Sequence, residues 1–338
     1  MIPAFALAAT VALTSAQVDS VMANAEKALS AYVFPEFGDK AAAMLKAKTP
    51  QYEEITNPKA LRITVNRDLF AVTHDKHVGL WYPFNPEDAP SDHSAAAKSA
   101  QHEGELKNNF GFVSVRRLPG DVGYVDFEYF SGDPEVARAV QATMMFVAST
   151  DALIIDLRHN MGGNPIAAET LEGYFFDSQQ PITSMMLRNP KTAITTEIQQ
   201  YTAPTVPGPL YVGKPIYVLT SAHAFSCAEQ FTYDLHNLKR ITIVGETTGG
   251  GANPGDPHNL GHSFAIFIPE GRAYSPVTKT NWEGTGIAPD VPVAEANALP
   301  KAYGLALRYV LMHDKNAGVH DEATQAIADP QKALLSQP

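Results

Sequence analysis

A serine between a predicted strand and a predicted helix is the first residue that could do chemistry. In the run LTSAHAFSCAEQF, residues 219–231, Ser226 follows an apolar stretch and precedes an amphipathic one. The first amides of a helix are free and carry partial positive charge, which suits a nucleophile whose attack creates an oxyanion. Ser226 and Glu229 also spell a capping box, in which the serine only satisfies backbone donors. Local sequence therefore leaves both roles open.

Two adjacent glycines form the second chemical feature. Gly162 and Gly163 stand in IIDLRHNMGGNP, after an apolar predicted strand and before a predicted helix. Such glycines let a backbone approach a ligand and present its amides, although a tight turn can require glycine for its own sake. The run fits neither the GxGxxG nor the GxxxxGK[ST] nucleotide-binding pattern. The glycines thus indicate either an amide-lined site or a simple turn.

Two histidine pairs have spacings that a metal could use, His74 with His77 and His258 with His262. No HExxH motif is present, and both pairs fall in predicted strands or loops, so zinc binding is not favoured. The single cysteine, Cys227, excludes an internal disulfide and every multi-cysteine metal site.

The elements that position these residues follow from the hydrophobic periodicity. Residues 17–68 show helical spacing, and we expect Pro50 and Pro58 to break the second half of this region into short pieces. From Phe110 onward strands and helices alternate, beginning with a hairpin around Pro119-Gly120-Asp121. We also expect SFAIFIPEGRAYSP to form a hairpin. The alternation predicts an α/β core with buried parallel strands.

Composition limits the class of protein. Hydrophobic residues make up 45% of the 338 residues, enough for a sizeable core, and the formal net charge is -11. Such an acidic chain is a poor candidate for binding nucleic acid or an anionic membrane. No stretch reaches the roughly 20 apolar residues of a membrane span, so we do not expect an integral membrane protein.

The pattern also suggests boundaries. Residues 1–16, MIPAFALAATVALTSA, resemble a signal segment with Thr14 and Ala16 before the cleavage point, or the beginning of the first helix. The first reading favours export, to the periplasm or outside the cell. We then expect a helical N-terminal domain over 17–68, an α/β core over 69–315 and a C-terminal tail over 316–338.

Four motifs in order resemble the S41 family of serine peptidases, which includes tail-specific and tricorn-type proteases. They are HDKHVGLWY, DLRHNMGG, the stretch LTSAHAFSCAEQF with KRITIVGETTGGG, and NWEGTGIAPDVPV. The closer similarity is to the branch of interphotoreceptor retinoid-binding protein modules and their bacterial relatives. The resemblance implies a ClpP/crotonase-like core behind a small helical domain. Many relatives carry a PDZ domain, whereas here only a polar connection over 83–100 stands in that place, so no PDZ domain is expected.

The resemblance also implies roles for particular residues. Ser226 matches the family nucleophile, His77 the histidine of the tricorn-like branch, which acts as the base, and Glu283 its orienting carboxylate. Gly163 matches the oxyanion-hole glycine, and the amide of Cys227 would be the second donor. No cofactor or metal is implied.

Two departures and one competing carboxylate bear on this assignment. Gly251 stands where the tail-specific branch has its lysine, which excludes a Ser/Lys dyad. Lys76 replaces the serine that precedes the histidine, and its charge would disfavour the imidazolium if it points into the site. Asp75 is the main alternative to Glu283 as the carboxylate that orients His77.

The leading hypothesis is a serine peptidase that cleaves peptide or protein substrates through an acyl-enzyme. A non-catalytic carrier of retinoid or fatty-acyl ligands is the alternative, because a fold alone does not choose between the two.

Overall fold

The structure is a computed structural model that describes residues 12–85, 95–189 and 191–335. The helices, in chain order, are α1 (Ser15–Ala28), α2 (Pro35–Tyr52), α3 (Pro58–Thr73), α4 (Ala95–Lys107), α5 (Val136–Val147), α6 (Pro165–Gly173), α7 (Cys227–Asn237), α8 (Glu295–His313), α9 (Ala317–Ala328) and α10 (Pro330–Leu335). The strands are β1 (Gly79–Trp81), β2 (Phe112–Leu118), β3 (Val122–Phe127), β4 (Ala152–Asp156), β5 (Ser184–Arg188), β6 (Thr195–Ile198), β7 (Ile216–Thr220), β8 (Thr242–Gly245), β9 (Gly255–Gly261), β10 (Phe264–Pro269), β11 (Gly271–Tyr274) and β12 (Val291–Pro292).

The chain divides into two compact units. The first contains the described residues up to Lys98 with Met186–Thr196 and Asn253–Arg272. In it, α1, α2 and α3 pack their apolar faces on a three-stranded antiparallel sheet of order β1-β10-β9. The sequence placed a boundary near residue 68, but the helices share their core with β9 and β10, nearly 200 residues further along. Local periodicity does not report such a distant pairing.

The starts of the helices show how the sequence sets them. Thr14 caps α1, since its hydroxyl accepts from the Gln17 amide at 3.3 Å while the Gln17 side chain accepts from the Thr14 amide at 2.9 Å. Residues 1–11, most of the predicted signal segment, lie outside the described residues. The prediction that proline breaks this region into short pieces was wrong. Pro50 falls in the last turn of α2, and Pro58 occupies the first position of the continuous helix α3, where its missing N–H is not needed.

The second unit contains Ser99–Met185, Glu197–Ala252 and the described residues from Ala273 onward. Its six-stranded sheet has the order β12-β8-β7-β4-β3-β2, parallel except for the predicted β2–β3 hairpin. The α/β core expected from the alternation is therefore confirmed.

Both faces of this sheet are buried. Leu153 and Ile155 of β4 pack with α5, α6 and α7, while Ala152 and Ile154 pack with α8 and α9. Successive residues of a strand point to opposite faces, which is why this strand reads as a continuous apolar run. The segment 316–338, expected to be a tail, contains the helices α9 and α10.

The predicted hairpin in SFAIFIPEGRAYSP was wrong. Its two halves are β10 and β11, which belong to different sheets, and β10 pairs with β9 and β1 instead. The chain leaves the β10 ladder because the amides of Glu270 and Gly271 both donate to the Pro254 carbonyl, at 3.0 and 3.1 Å. Strand β11 joins a third sheet of order β11-β5-β6.

The connection between β1 and β2 holds, in its described part, the helix α4 and one short 3-10 turn. Residues 82–111 are far fewer than the roughly 50 residues of a small domain, as expected without a PDZ domain. Across the ranges 12–85, 95–189 and 191–335, we find no helix with the length and apolarity to cross a bilayer.

Candidate active site

The candidate residues of the second unit lie after the carboxyl ends of three neighbouring parallel strands. The paired glycines follow β4, Ser226 follows β7, and the GETTGGG segment follows β8; β7 pairs with both β4 and β8. Loops at this edge of an open α/β sheet are the usual place for ligands, because adjacent parallel strands deliver their loops side by side.

Ser226 occupies a strained turn between β7 and α7. Its backbone has φ 55° and ψ -121°, and its side chain is half-buried. A positive φ is sterically unfavourable for a residue with a Cβ and costs about 1–3 kcal/mol, so surrounding contacts must hold it. Such strain concentrates at functional sites. The turn places Ser226 directly before the free amides at the start of α7.

The buried carboxylate of Glu229 is the main contact that holds this turn. Its Oε2 accepts from the amides of Ser226 at 3.0 Å and Gly251 at 2.8 Å. Its Oε1 accepts from the Thr248 hydroxyl at 2.5 Å and the Gly250 amide at 2.7 Å. Burial raises the pKa of Glu229, and these four hydrogen bonds oppose that rise. Glu229 therefore fastens the serine turn to the loop after β8.

The glycine turn lies against the serine turn. A Cβ on Gly162 would stand 2.7 Å from the Cβ of Ser226 and 2.9 Å from the Cys227 nitrogen. A Cβ on Gly163, whose φ is 134°, would stand 2.1 Å from the Phe130 carbonyl oxygen. Both positions therefore require glycine, for close approach as well as for backbone conformation.

Asn160, which the sequence did not single out, joins the two turns. Its side-chain oxygen accepts from the Gly162 amide at 2.9 Å, and its amide nitrogen donates to the Phe127 carbonyl at 3.0 Å. Its own carbonyl accepts from the Phe225 amide at 3.1 Å. The residue is fully buried, so it fixes the glycine turn relative to the residue before Ser226.

Two backbone donors remain available at this point. Among the hydrogen bonds of the described residues, none uses the amide of Gly163 or that of Cys227 as donor. The Gly163 residue is exposed, and Cys227 opens α7. A pair of such amides is the arrangement that stabilises an oxyanion.

Glu283 is held by the loop that Glu229 also holds. Its Oε2 accepts from the Ala252 amide at 2.6 Å, and its own amide donates to the Asn281 side-chain oxygen at 3.0 Å. The neighbouring buried Trp282 donates from Nε1 to the Gly251 carbonyl at 2.8 Å. Glu283 is half-buried, which distinguishes it from a solvated turn carboxylate.

Two buried carboxyl groups lie in the layer of helices behind Ser226. Glu172 of α6 and Asp234 of α7 are both buried, and, within the part of the chain that the structure describes, both oxygens of Glu172 and Oδ2 of Asp234 accept no hydrogen bond. Burial, then the Asp234 charge, holds the pKa of Glu172 well above its usual range. Burial raises the pKa of Asp234 to about 7. Burial also raises the pKa of the Cys227 thiol, which disfavours the nucleophilic thiolate form.

His77 belongs to the first unit and follows α3. Asp75 accepts from the His77 backbone amide at 2.9 Å, while the distance from its Oδ1 to His77 Nδ1 is 3.8 Å. The other oxygen of Asp75 accepts from the Tyr32 hydroxyl at 3.1 Å and from Asn253 Nδ2 at 2.8 Å. The Phe267 ring stacks on the imidazole with 5.5 Å between ring centroids.

Burial lowers the pKa of His77 below 6.5, and the Asp75 charge opposes this. The sequence suggested that Lys76 would disfavour the imidazolium if its charge pointed into the site; Lys76 is exposed, and the cause of the lowered pKa is burial of His77. A neutral imidazole at neutral pH is the form that accepts a proton.

Among the predicted residues, Ser226, Cys227, Gly163 and Glu283 lie in the second unit, and their loops are joined by the contacts above. His77 lies in the first unit, so its pairing with Ser226 stays a prediction. Sequence reasoning missed Asn160 and the buried position of Asp75. It recognised Glu229 only as half of a capping box.

Comparison with known proteins identifies a family for this sequence. The sequence model of peptidase family S41 matches residues 121–293. A carboxy-terminal-processing protease of Bartonella bacilliformis is 28% identical over 193 residues, which are 55% of this chain and 42% of that protein. This chain thus spans less than half the length of that curated relative.

Solved structures show the same fold. A protein of Parabacteroides merdae, provisionally assigned as a peptidase, aligns with a TM-score of 0.58 at 19% identity, over 87% of this chain and 97% of that one. A lipoprotein of Streptococcus agalactiae aligns with a TM-score of 0.57 at 14% identity, over 91% of this chain and 98% of that one. At these identities the similarity extends to the fold alone.

Proposed function

This chain belongs to peptidase family S41, and we propose that it is a serine peptidase that hydrolyses peptide bonds through an acyl-enzyme on Ser226. The observation that carries the proposal is the strained serine turn at the start of α7, beside two amides that have no acceptor among the described residues. The relative from Bartonella bacilliformis supports peptide or protein substrates.

In the first step Ser226 Oγ attacks the carbonyl carbon of the scissile bond. The carbonyl oxygen gains a negative charge, which the amides of Gly163 and Cys227 stabilise by hydrogen bonding. Loss of one such donor typically costs about 10²–10³-fold in turnover, so their fixed position is a large part of the rate. Asn160 and Glu229 maintain that position without touching the substrate.

His77 transfers the protons. It accepts the Ser226 hydroxyl proton during attack and gives it to the amine nitrogen as the C–N bond breaks, which leaves an ester on Ser226. A water molecule then attacks the ester while His77 again accepts a proton, and the acid product leaves with Ser226 restored. The lowered pKa of His77 keeps it ready to accept a proton at neutral pH.

Glu283 is the proposed orienting carboxylate, and Asp75 is its rival. Asp75 already accepts three hydrogen bonds, and its 3.8 Å distance from His77 Nδ1 is too long for a fourth. These contacts support Asp75 as the residue that shapes the backbone at His77. We propose that Glu283 fixes the imidazole tautomer.

Ser226→Ala separates the nucleophile from a helix cap. We expect the rate of peptide hydrolysis to fall by at least about 10³-fold, because the acyl-accepting oxygen is gone, with little change in melting temperature. A serine that only caps would instead lose about 0.5–2 kcal/mol of stability and leave hydrolysis intact. Ser178→Ala, at an exposed serine of the same unit, is the matched control. If the wild-type protein hydrolyses no peptide and Ser226→Ala leaves its melting temperature unchanged, the proposal is contradicted and the ligand-carrier alternative is favoured.

A further inference from the structure

A groove beside His77 has a chemistry that the catalytic steps do not use. It lies within the first unit, between α3 and residues 75–81, and has a volume of about 450 Å³. Arg62, Arg67 and Lys76 contribute to its lining, with Phe70 and Trp81. Three basic side chains thus line one groove of a chain whose formal net charge is -11.

The groove is built on a fixed frame. Asn66 of α3 accepts from the Leu80 amide at 2.6 Å and donates to the Leu80 carbonyl at 3.1 Å. The side chain of Asn66 thereby bonds to β1 as a neighbouring strand would and fastens α3 to this strand. A binding site with such a frame needs little reorganisation when a ligand enters.

The charges in the groove favour an anion. Asp75, the one acidic residue in the lining, is buried and its oxygens are occupied by Tyr32, Asn253 and the His77 amide. Arg67 is exposed and pairs with Asp68 at 3.1 Å. In contrast, Arg62 lines the groove and, among the described residues, its side chain has no hydrogen-bond or ion-pair partner. A guanidinium that lines a groove without a carboxylate partner is available to a ligand that carries one.

We propose that this groove is a substrate subsite that binds a carboxylate, with Arg62 as its principal recognition group. The inference rests on the proposed function, since the groove adjoins the proposed base. A guanidinium binds a carboxylate through charge-assisted hydrogen bonds, and the half-exposed rings of Phe70 and Trp81 offer apolar contact to the methylene groups that carry it. The carboxylate belongs either to an acidic side chain near the scissile bond or to the C-terminus of the peptide.

The test compares matched peptides. A cleaved peptide is first found by mass spectrometry of a peptide pool, and glutamate or glutamine is then placed in turn at each of the three positions on either side of the cleaved bond. Each peptide is made with a free and with an amidated C-terminus. We expect one glutamate position, or the free C-terminus, to raise kcat/KM by about tenfold to hundredfold, chiefly through KM. Which arm shows the preference identifies the source of the carboxylate.

Variants assign that preference to the groove. Arg62→Met should reduce the ratio of kcat/KM between the carboxylate and neutral peptides toward one. Lys76→Met, at an exposed residue, should reduce this ratio less. It replaces Arg62→Met in the comparison if Arg62→Met proves unstable. Arg308→Met, at an exposed arginine of the second unit, should keep the wild-type ratio. Equal kcat/KM for all peptides in the wild type, or an unchanged ratio in both groove variants, overturns the proposal.

The outcome can be separated from failure of the proposed function. If no peptide is cleaved, binding is instead measured by calorimetry on the Ser226→Ala protein, with one fixed peptide made in a glutamate and a glutamine version, each with a free and an amidated C-terminus. Tighter binding of the carboxylate peptide, lost in the double variant with Arg62→Met, supports the subsite without peptidase activity. Equal binding of all these peptides rejects the subsite.

Discussion

Replacing Glu229 with glutamine tests whether one buried carboxylate holds the catalytic turn. The wild-type side chain accepts four hydrogen bonds, two on each oxygen. Glutamine keeps one acceptor oxygen and presents an NH₂ group to the other two donors. Either the Ser226 and Gly251 amides or the Thr248 hydroxyl and Gly250 amide then lose their acceptor, depending on how the amide group lies.

The size of the effect follows from those two lost contacts. Hydrogen bonds to a charged group contribute about 1.5–3 kcal/mol each, so two of them amount to about 3–6 kcal/mol. Glutamine also removes the cost of burying a charge, which is the leading cause of the raised pKa of Glu229. We therefore expect Glu229→Gln to lower the free energy of unfolding by about 2–4 kcal/mol. Turnover should fall by about 10²-fold, because the Cys227 amide moves with the relaxed turn.

The assay combines calorimetric melting with steady-state kinetics. Glu169→Gln is the matched control, since Glu169 is half-buried on α6 in the same unit and accepts one hydrogen bond, from Gln200 at 2.8 Å. That variant should melt and turn over close to wild type. Wild-type stability and turnover in Glu229→Gln would refute the reasoning, and a loss of stability without a loss of turnover would restrict Glu229 to a structural role.

Three further predictions concern the ionisable residues Asp234, His77 and Glu283. Because Asp234 has a pKa raised to about 7 beside Glu172, the native state holds a proton that the unfolded state has released, so stability is full below about pH 4 and falls as pH rises through 7. The melting temperature of Asp234→Asn relative to wild type should therefore be higher at pH 8 than at pH 5, and an equal difference at pH 5 and pH 8 would contradict this. The kcat/KM of the wild type should rise with pH through one ionisation below 6.5, that of His77, and a profile that is flat over this range or unchanged in His77→Ala would remove His77 from the mechanism. Glu283→Gln should lower turnover by up to about 10⁴-fold with little change in KM, whereas a larger loss in Asp75→Asn than in Glu283→Gln would transfer the orienting role to Asp75.

The parts of the site that sequence could predict are those set by neighbours along the chain. Ser226 before a helix and Gly163 after a buried strand were visible because strand, turn and helix are local patterns. The hydrogen bond from the Ser226 amide to Glu229 is predictable as part of a capping box, because the two residues are three positions apart. Its contacts with the loop after β8 were not, since nothing local places that loop against α7.

The parts that sequence could not predict depend on distant side chains. Asp75 seemed able to orient His77 as a neighbour on a strand, but its oxygens are occupied by Tyr32 and by Asn253, which is 178 residues away. β10 also pairs with β1, as Ile266 with Leu80, and no local pattern predicts a pairing across that length of chain.

The central claim, that Ser226 is the nucleophile, is tested most directly by covalent labelling with a fluorophosphonate and mapping of the adduct by tandem mass spectrometry. We predict one adduct per chain, on the peptide that contains Ser226, with a labelling rate that falls in His77→Ala and labelling that is absent in Ser226→Ala. An adduct on another serine, or no adduct on protein that hydrolyses peptides, would contradict the account.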